Sequence, residues 1–422
     1  MLGSVLATTV ATTVATSVAA TGTVAATGGP IVLEKTSAEP QAASELRAIQ
    51  VDRVFTMNAE REVHSPGMVL TRDGSLEYVG PPLKLLPTGY TLERRSGWAM
   101  PGMVDLHSHI VTDGWGGIND MVLPVNPQLS VAPTIKPSNR QIRLTCSAGV
   151  TTLFMIPGSG TSMGGFGVLY KTKTEAGYEG AMLADPGGLK VAQTHNPERG
   201  AGDVGRTRSG LYWTLQQING QALAYAAGRR DDPGLADLAK VLTERLPVLI
   251  HCAGTDGVTS TVRMWRETYD TQSVLSHGSF DGWMAAEYVA RAGMPVNHGP
   301  RTFDWFSSRL GRIVSSSTEY AEAGVPNFSL NTDAPVVPAW ELFLQGTVSA
   351  RYGGEPYQML EALTINPARA FGIDDRVGSL EVGKDADLVV FDGDPLDPRS
   401  RVELVWIDGE PQYDRLADGQ WF

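Results

Sequence analysis

Between residues 97 and 372 eight short apolar runs follow one another: "GMVDLHSH", "VTTLFMIPG", "FGVLYKTK", "GGLKVAQTH", "LPVLIHC", "QSVLSHG", "MPVNHG" and "NFSLNTD". Short runs of this kind, rich in Val, Leu and Ile, read as strands buried on both faces, the pattern of a parallel sheet. Helix-like stretches lie between several of them, for example over residues 237–246 and 281–293, and parallel strands need such crossovers. Eight strands with helical connections predict an α/β fold, a parallel (β/α)8 TIM-like barrel; a doubly wound sheet suits the count less well.

The two ends of the chain read differently. Residues 45–80 are short strands with turn breaks, and "RDGS" between apolar runs is a hairpin signal. The far end, "KDADLVVFDGDPLD" and "RVELVWIDGEPQYD", alternates in the same way. We expect residues 45–96 and 373–422 to form one small β-sandwich beside a barrel of residues 97–372. Residues 1–29 carry no charge and are mostly Ala, Thr, Val and Gly. They lack the basic start of a secretory signal and are too rich in threonine for a spanning helix. A disordered tail, a misplaced start and a degraded export signal all stay open for the low-complexity residues 1–44, and with them the compartment.

In a barrel of this kind the chemistry sits at the C-terminal ends of the strands. His107 and His109 end the first run, His251 the fifth, His277 the sixth and Asp333 the eighth. Alone, His277 reads as a satisfied polar group and Asp333 before "AP" as a turn former. Four of the seven histidines and an aspartate at the same end of successive strands instead suit a bound divalent metal, with zinc first among several candidates. Lys190 lies inside the apolar fourth run. Burial there would lower its pKa and leave a neutral amine able to take up carbon dioxide as a carbamate, a two-oxygen anion that can bridge two metals. Snorkelling or an ion pair are the ordinary alternatives, and Lys171 in "GVLYKTK" is a rival for the role.

The run "MPGMVDLHSH", the ordered His251, His277 and Asp333, and the tail "ALTINPARAFGIDDRVGSLEVGKDADLVVFDGDPLD" together resemble the amidohydrolase superfamily, with its imidazolonepropionase-like and prolidase-like branches nearest. The resemblance runs from about residue 48 to the C-terminus. It implies a metal-bearing barrel beside a β-sandwich. His107 and His109 would bind the more buried metal, His251 and His277 a second, and carbamylated Lys190 would bridge both. Asp333 would bind the first metal and shuttle protons. The segment after the lysine, "VAQTHNPERG", departs from the family, where a glycine often follows, and places His195 and Arg199 within reach of substrate.

What this implies is a metal-dependent hydrolase of carbon–nitrogen bonds other than general peptide bonds: a cyclic amide, an N-acyl amino acid or a dipeptide. Metal-activated water would attack the carbonyl, with Asp333 as the base. The Gly-rich residues 157–165, which lack the lysine and threonine of a phosphate loop, read as an active-site loop. Asn297, His298 and Arg301 in "VNHGPR" join His195 and Arg199 as candidate substrate contacts. A mononuclear deaminase of a heterocycle is the alternative, weakened because no glutamate follows His251 in "CAGTDGV". A non-catalytic binding protein is a third reading, weakened because no ligand is missing. A net charge of −12 argues against a nucleic-acid backbone or an anionic membrane as partner. Two cysteines exclude a disulfide framework. The expected partner is a small molecule, and a homo-oligomer is compatible with the sequence.

Overall fold

All eight runs become strands of one sheet. The computed structural model describes residues 45–112, 118–173, 175–199, 207–304, 311 and 313–421, so the low-complexity residues 1–44 lie outside the described residues. The strands are β1 (Met103–Ser108), β2 (Val150–Met155), β3 (Met163–Lys171), β4 (Met182–Ala192), β5 (Val248–Ala253), β6 (Ser273–Ser279), β7 (Val296–His298) and β8 (Ser329–Leu330). They pair in sequence order. After β8, the carbonyl of Ala334 accepts the N–H of His109 at 2.7 Å, and Ser108 bridges Ala334 in parallel, which brings the last strand round to the first. The sheet is a nearly closed, TIM-like barrel. Every residue of β1, β2, β3 and β5 is buried, as expected where helices cover the outer face and side chains fill the inner one.

One strand corrects the expectation of an all-parallel barrel. β3 pairs antiparallel with both β2 and β4, while every other pair is parallel. Only residues 156–162 separate β2 from β3, too few for a parallel crossover, which takes a dozen or more. Of the expected helices, the first is Ala236–Thr243; the second splits into a 3-10 turn, Phe280–Ala285, and the helix Ala286–Arg291. The tail helix is Ile365–Phe371, stopped by Gly372 in the left-handed region (φ 68°), a conformation glycine adopts without steric cost.

Two further sheets lie outside the barrel. One joins Ser75–Gly80, Gly67–Arg72, Leu46–Val51 and Thr91–Arg94; the other joins Glu410–Asp414, Val402–Ile407, Leu388–Phe391, Trp98–Pro101, Arg53–Phe55 and Val63–His64. The second therefore draws strands from both chain ends. Ile49, Val69, Val54, Leu388 and Trp406, from both sheets, share one buried cluster. The "RDGS" hairpin turns on Asp73 and Gly74, both at positive φ, as a tight two-residue turn requires. We retain the domain limits 45–96 with 373–422 and 97–372 as a proposal. No helix among the described residues is long and apolar enough to cross a membrane.

The reversal of β3 decides where Lys171 goes. Lys171 pairs with Thr152 near the start of β2, at the end of the barrel away from the strand-end histidines. There its ammonium meets Asp385 (2.7 Å), Asp387 (3.1 Å) and Asp408. Burial works to lower its pKa, but the three carboxylates outweigh it and hold the lysine charged. The rival for the carbamate role is a structural cation.

Candidate metal centre and active site

His107, His109 and Asp333 converge at the C-terminal mouth of the barrel. The Nε2 atoms of both histidines lie 3.2 Å from the same oxygen, Asp333 Oδ1, and His277 Nε2 lies 3.9 Å from Oδ2. One potential ligand atom from each of His107, His109 and Asp333 falls within 4.8 Å of the others. The His251 and His277 rings are 4.5 Å apart, and those of His107 and His277 4.4 Å. Lys190 Nζ sits 3.1 Å from His107 Nε2 and donates to Ser159 Oγ at 2.9 Å. The six residues expected at a metal site, four on strands, His109 just after β1 and Asp333 just after β8, are thus brought together, and the Gly-rich loop reaches them through Ser159.

Local backbone irregularities do the aiming. β1 slips register against β2 between Asp105 and Ser108, and β6 slips against β5 after Cys252. His277 (φ 73°) and Asp333 (φ 50°) are left-handed, a conformation costly for residues other than glycine and concentrated at functional sites. Because His277 departs from extended geometry, it and its neighbour Ser276 both face the centre, where strict strand alternation would send one away. Ser276 Oγ lies 2.6 Å from His107 Nδ1. Alternation gave no signal for Ser276, and only its adjacency to a candidate ligand could have drawn attention to it. Asp105, equally unforeseen, accepts the His107 N–H at 3.0 Å and the Thr332 hydroxyl at 2.5 Å, tying β1 to the segment after β8. Burial pushes its carboxyl up to about 7 against these two hydrogen bonds.

The electrostatics leave a place for a cation. His109 Nδ1–H donates to the Ile156 carbonyl (3.0 Å) and His277 Nδ1–H to that of Gly299 (2.9 Å). A carbonyl can only accept, so in each bond Nδ1 carries the hydrogen, and Nε2 faces Asp333. Burial pushes His107 and His251 well below the usual histidine range and His277 down to about 4, with Lys190 also lowering all three. These rings are neutral at pH 7. Asp333 stays ionised: burial would raise it, but His277, His109 and Lys190 together hold it below the ordinary carboxylate value. Burial brings Lys190 down to about 7 despite Asp333. His277 Nε2 and both nitrogens of His251 are buried with no hydrogen-bond partner. Buried polar atoms without partners are costly, and electron pairs from neutral imidazoles beside a carboxylate are the donor set of a divalent cation.

A cavity of 330 Å³ opens from this centre, with His251, His277 and Asp333 on its wall beside His195, Phe280, Phe303 and Arg301. His195 (φ 66°) and Phe280 (φ 60°) are also left-handed, so four strained residues line one cavity. His195 Nε2 meets the Ala253 carbonyl at 3.2 Å. His298 is a correction: it is fully buried off the cavity, its Nδ1 bound to the His277 carbonyl (2.6 Å) and its Nε2 to Ser316 Oγ (2.9 Å). Neither nitrogen is left for substrate. Asn297 is likewise buried in the wall and accepts from Ser329 Oγ at 3.1 Å. The Arg199 side chain lies outside the described residues.

The amidohydrolase family model matches residues 231–413. A solved amidohydrolase from Thermotoga maritima MSB8 is 27% identical; the match covers 87% of this chain and all of that one, with a TM-score of 0.79. The chain thus resembles amidohydrolases in sequence over residues 231–413 and in fold over most of its length. Amidohydrolase tasK of Hapsidospora irregularis is 25% identical over 358 residues, 74% of this chain and 36% of that protein. A 5-methylthioadenosine/S-adenosylhomocysteine deaminase of Teredinibacter turnerae is 29% identical over 147 residues, 29% of this chain and 32% of that protein. The chain thus spans about a third of the length of these curated relatives. The family match includes the strand-end His251, His277 and Asp333 and continues through the tail; His107, His109 and Lys190 precede it.

Proposed function

We propose that the protein is a metal-dependent hydrolase of a carbon–nitrogen bond other than a general peptide bond, in a cyclic amide, an N-acyl amino acid or a dipeptide. The observation that carries this reading is the shared approach of His107 and His109 to Asp333 Oδ1, 3.2 Å each, beside the partnerless nitrogens of His251 and His277. His107, His109 and Asp333 would hold one divalent ion, with zinc the first choice. His251 and His277 would hold a second, and Lys190 stands beside His107 to bridge them. As a neutral amine it can take up carbon dioxide, forming an N–C bond and releasing one proton. When bound, the metal supplies electrophilic polarisation of the scissile carbonyl and activation of water near neutral pH.

The remaining chemistry belongs to the chain. Asp333, ionised and on the cavity wall, can accept a proton at a carboxylate oxygen and return it to the leaving nitrogen. Ser276, Ile156 and Gly299 orient the three imidazoles they touch, and such outer partners set ring orientation and basicity. Phe280 and Phe303 narrow the cavity and limit water, while His195 and Arg301 border the space a substrate would fill.

The deaminase match favours a second reading. Against it, the acidic residue after His251 is Asp256, 60% exposed and paired with Arg208. A panel of N-acyl amino acids, cyclic amides, dipeptides and amino-heterocycles separates the two. Amine or carboxylate release, abolished in Asp333→Asn, supports amide hydrolysis. Ammonia released from heterocycles alone would refute it.

A further inference from the structure

The cavity wall is unequal in charge. Its described lining includes two carboxylates, Asp304 and Asp333, and a single fixed cation, Arg301. Asp304 accepts the indole N–H of Trp283 at 2.9 Å, and Asp333 belongs to the histidine cluster. Arg301 is exposed, and its side chain makes no ion pair or hydrogen bond among the described residues. Most other arginines that pair do so with a nearby carboxylate, as Arg95 does with Asp414 (2.6 Å) and Arg61 with Glu361 (2.6 Å). In a chain of net charge −12, acidic partners are plentiful, so an unengaged guanidinium on this wall is notable.

Its placement is tied to the centre. Arg301 follows Gly299, whose carbonyl fixes His277, so the segment that orients a candidate ligand also presents the cation. Between the two ends the wall is apolar: Phe280, Phe303, Pro300 and Val336. At 330 Å³ the cavity is at the small end of ligand pockets.

From these observations we infer that the substrate carries one carboxylate, bound by Arg301, on a compact apolar body that spans to the scissile bond at the His277–Asp333 end. This deepens the hydrolase reading and depends on it for the identity of the bond cleaved. A single guanidinium on the described wall matches one carboxylate. The planar guanidinium fork matches a carboxylate in two parallel hydrogen bonds, and Phe280 and Phe303 offer flat contact to a ring or branched side chain.

The test uses hippurate, an N-acyl amino acid with a flat ring, its uncharged methyl ester, and inorganic phosphate. Equilibrium binding is measured on the full-length protein alongside amide hydrolysis, for the wild type, Arg301→Met and Arg301→Lys. The expected wild type binds hippurate more tightly than the ester. In Arg301→Met this acid-to-ester preference should fall about 10- to 100-fold, the range for a hydrogen bond to a charged group, and Arg301→Lys should restore part of it. Unchanged preference in Arg301→Met, or phosphate displacing hippurate as an equal competitor, would overturn the carboxylate assignment. Arg301-dependent hippurate binding without hydrolysis of any amide would leave the subsite standing and defeat the hydrolase reading instead.

Discussion

Replacing Lys171 by methionine isolates the structural lysine from the catalytic candidate. The side chain is 3% exposed and neutralises Asp385, Asp387 and Asp408. Two of these retain other cations: Arg376 on Asp385 at 2.7 Å and Lys173 on Asp408 at 2.9 Å. Asp387 does not. It keeps the Asp408 N–H at 2.8 Å on Oδ1, while Oδ2 is already without a partner. Removing one member of a buried pair costs ~3–5 kcal/mol, and the two surviving pairs place this case near the lower figure, about 3 kcal/mol. Over the Ser44–Phe422 unit, ~2.1 cal/mol/K per residue gives roughly 0.8 kcal/mol per degree, hence a fall in melting temperature of roughly 4 °C. The sign of the pH dependence follows from Asp387, which burial already raises and Lys171 pulls down. Without Lys171 its folded pKa rises further above the unfolded value. The folded state then binds more protons than the unfolded one, so the deficit grows as pH rises and shrinks toward pH 5. Thermal melts at pH 5 and 8 measure this, and Lys171→Met/Asp387→Asn should recover at least half the loss. Metal content should equal that of the wild type. An unchanged melt, or a loss of metal, would refute the placement of Lys171 at the far end of the barrel.

Four other outcomes are expected. Ser276→Ala should weaken metal binding by roughly 10-fold or more, the range for an outer-shell partner of a histidine ligand, and Ser276→Thr should restore it, as read by competition with a chromogenic chelator. Asp333→Asn should lower kcat by about 100-fold or more, measured with whichever amide the wild type hydrolyses. In metal-free protein, His277, lowered to about 4, binds fewer protons folded than unfolded between that value and ~6.5. Stability is therefore present above this window and lost as pH falls through it, by about 3 kcal/mol from this residue alone, visible as a falling melt between pH 7 and 5. His298→Gln should leave substrate KM nearly unchanged, because His298 faces Ser316 and a backbone carbonyl, not the cavity.

The barrel was legible because its strands are continuous apolar runs, and the strand-end residues were legible because the fold puts function at one end of every parallel strand. The direction of β3 was not: an apolar run has no polarity of its own, and only the short residues 156–162 after β2 hinted at a reversal. That reversal is what separates Lys171 from Lys190, two lysines with similar neighbours in sequence. His298 was misplaced for a related reason. It follows Asn297 at the end of β7 just as His277 follows Ser276 on β6, but only His277 takes a left-handed turn at the cavity. Ser276 and Asp105 act through hydrogen bonds to segments distant in sequence, which no local pattern records.

The central claim is that this cluster holds divalent metal, and elemental analysis tests it most directly. Protein should be expressed with bicarbonate and without chelator, as wild type, His107→Ala and Lys190→Ala. The account predicts about two metals per wild-type chain, falling to one or fewer in each variant. No tightly bound metal in the wild type, or a His107→Ala protein that keeps the full complement, would contradict it.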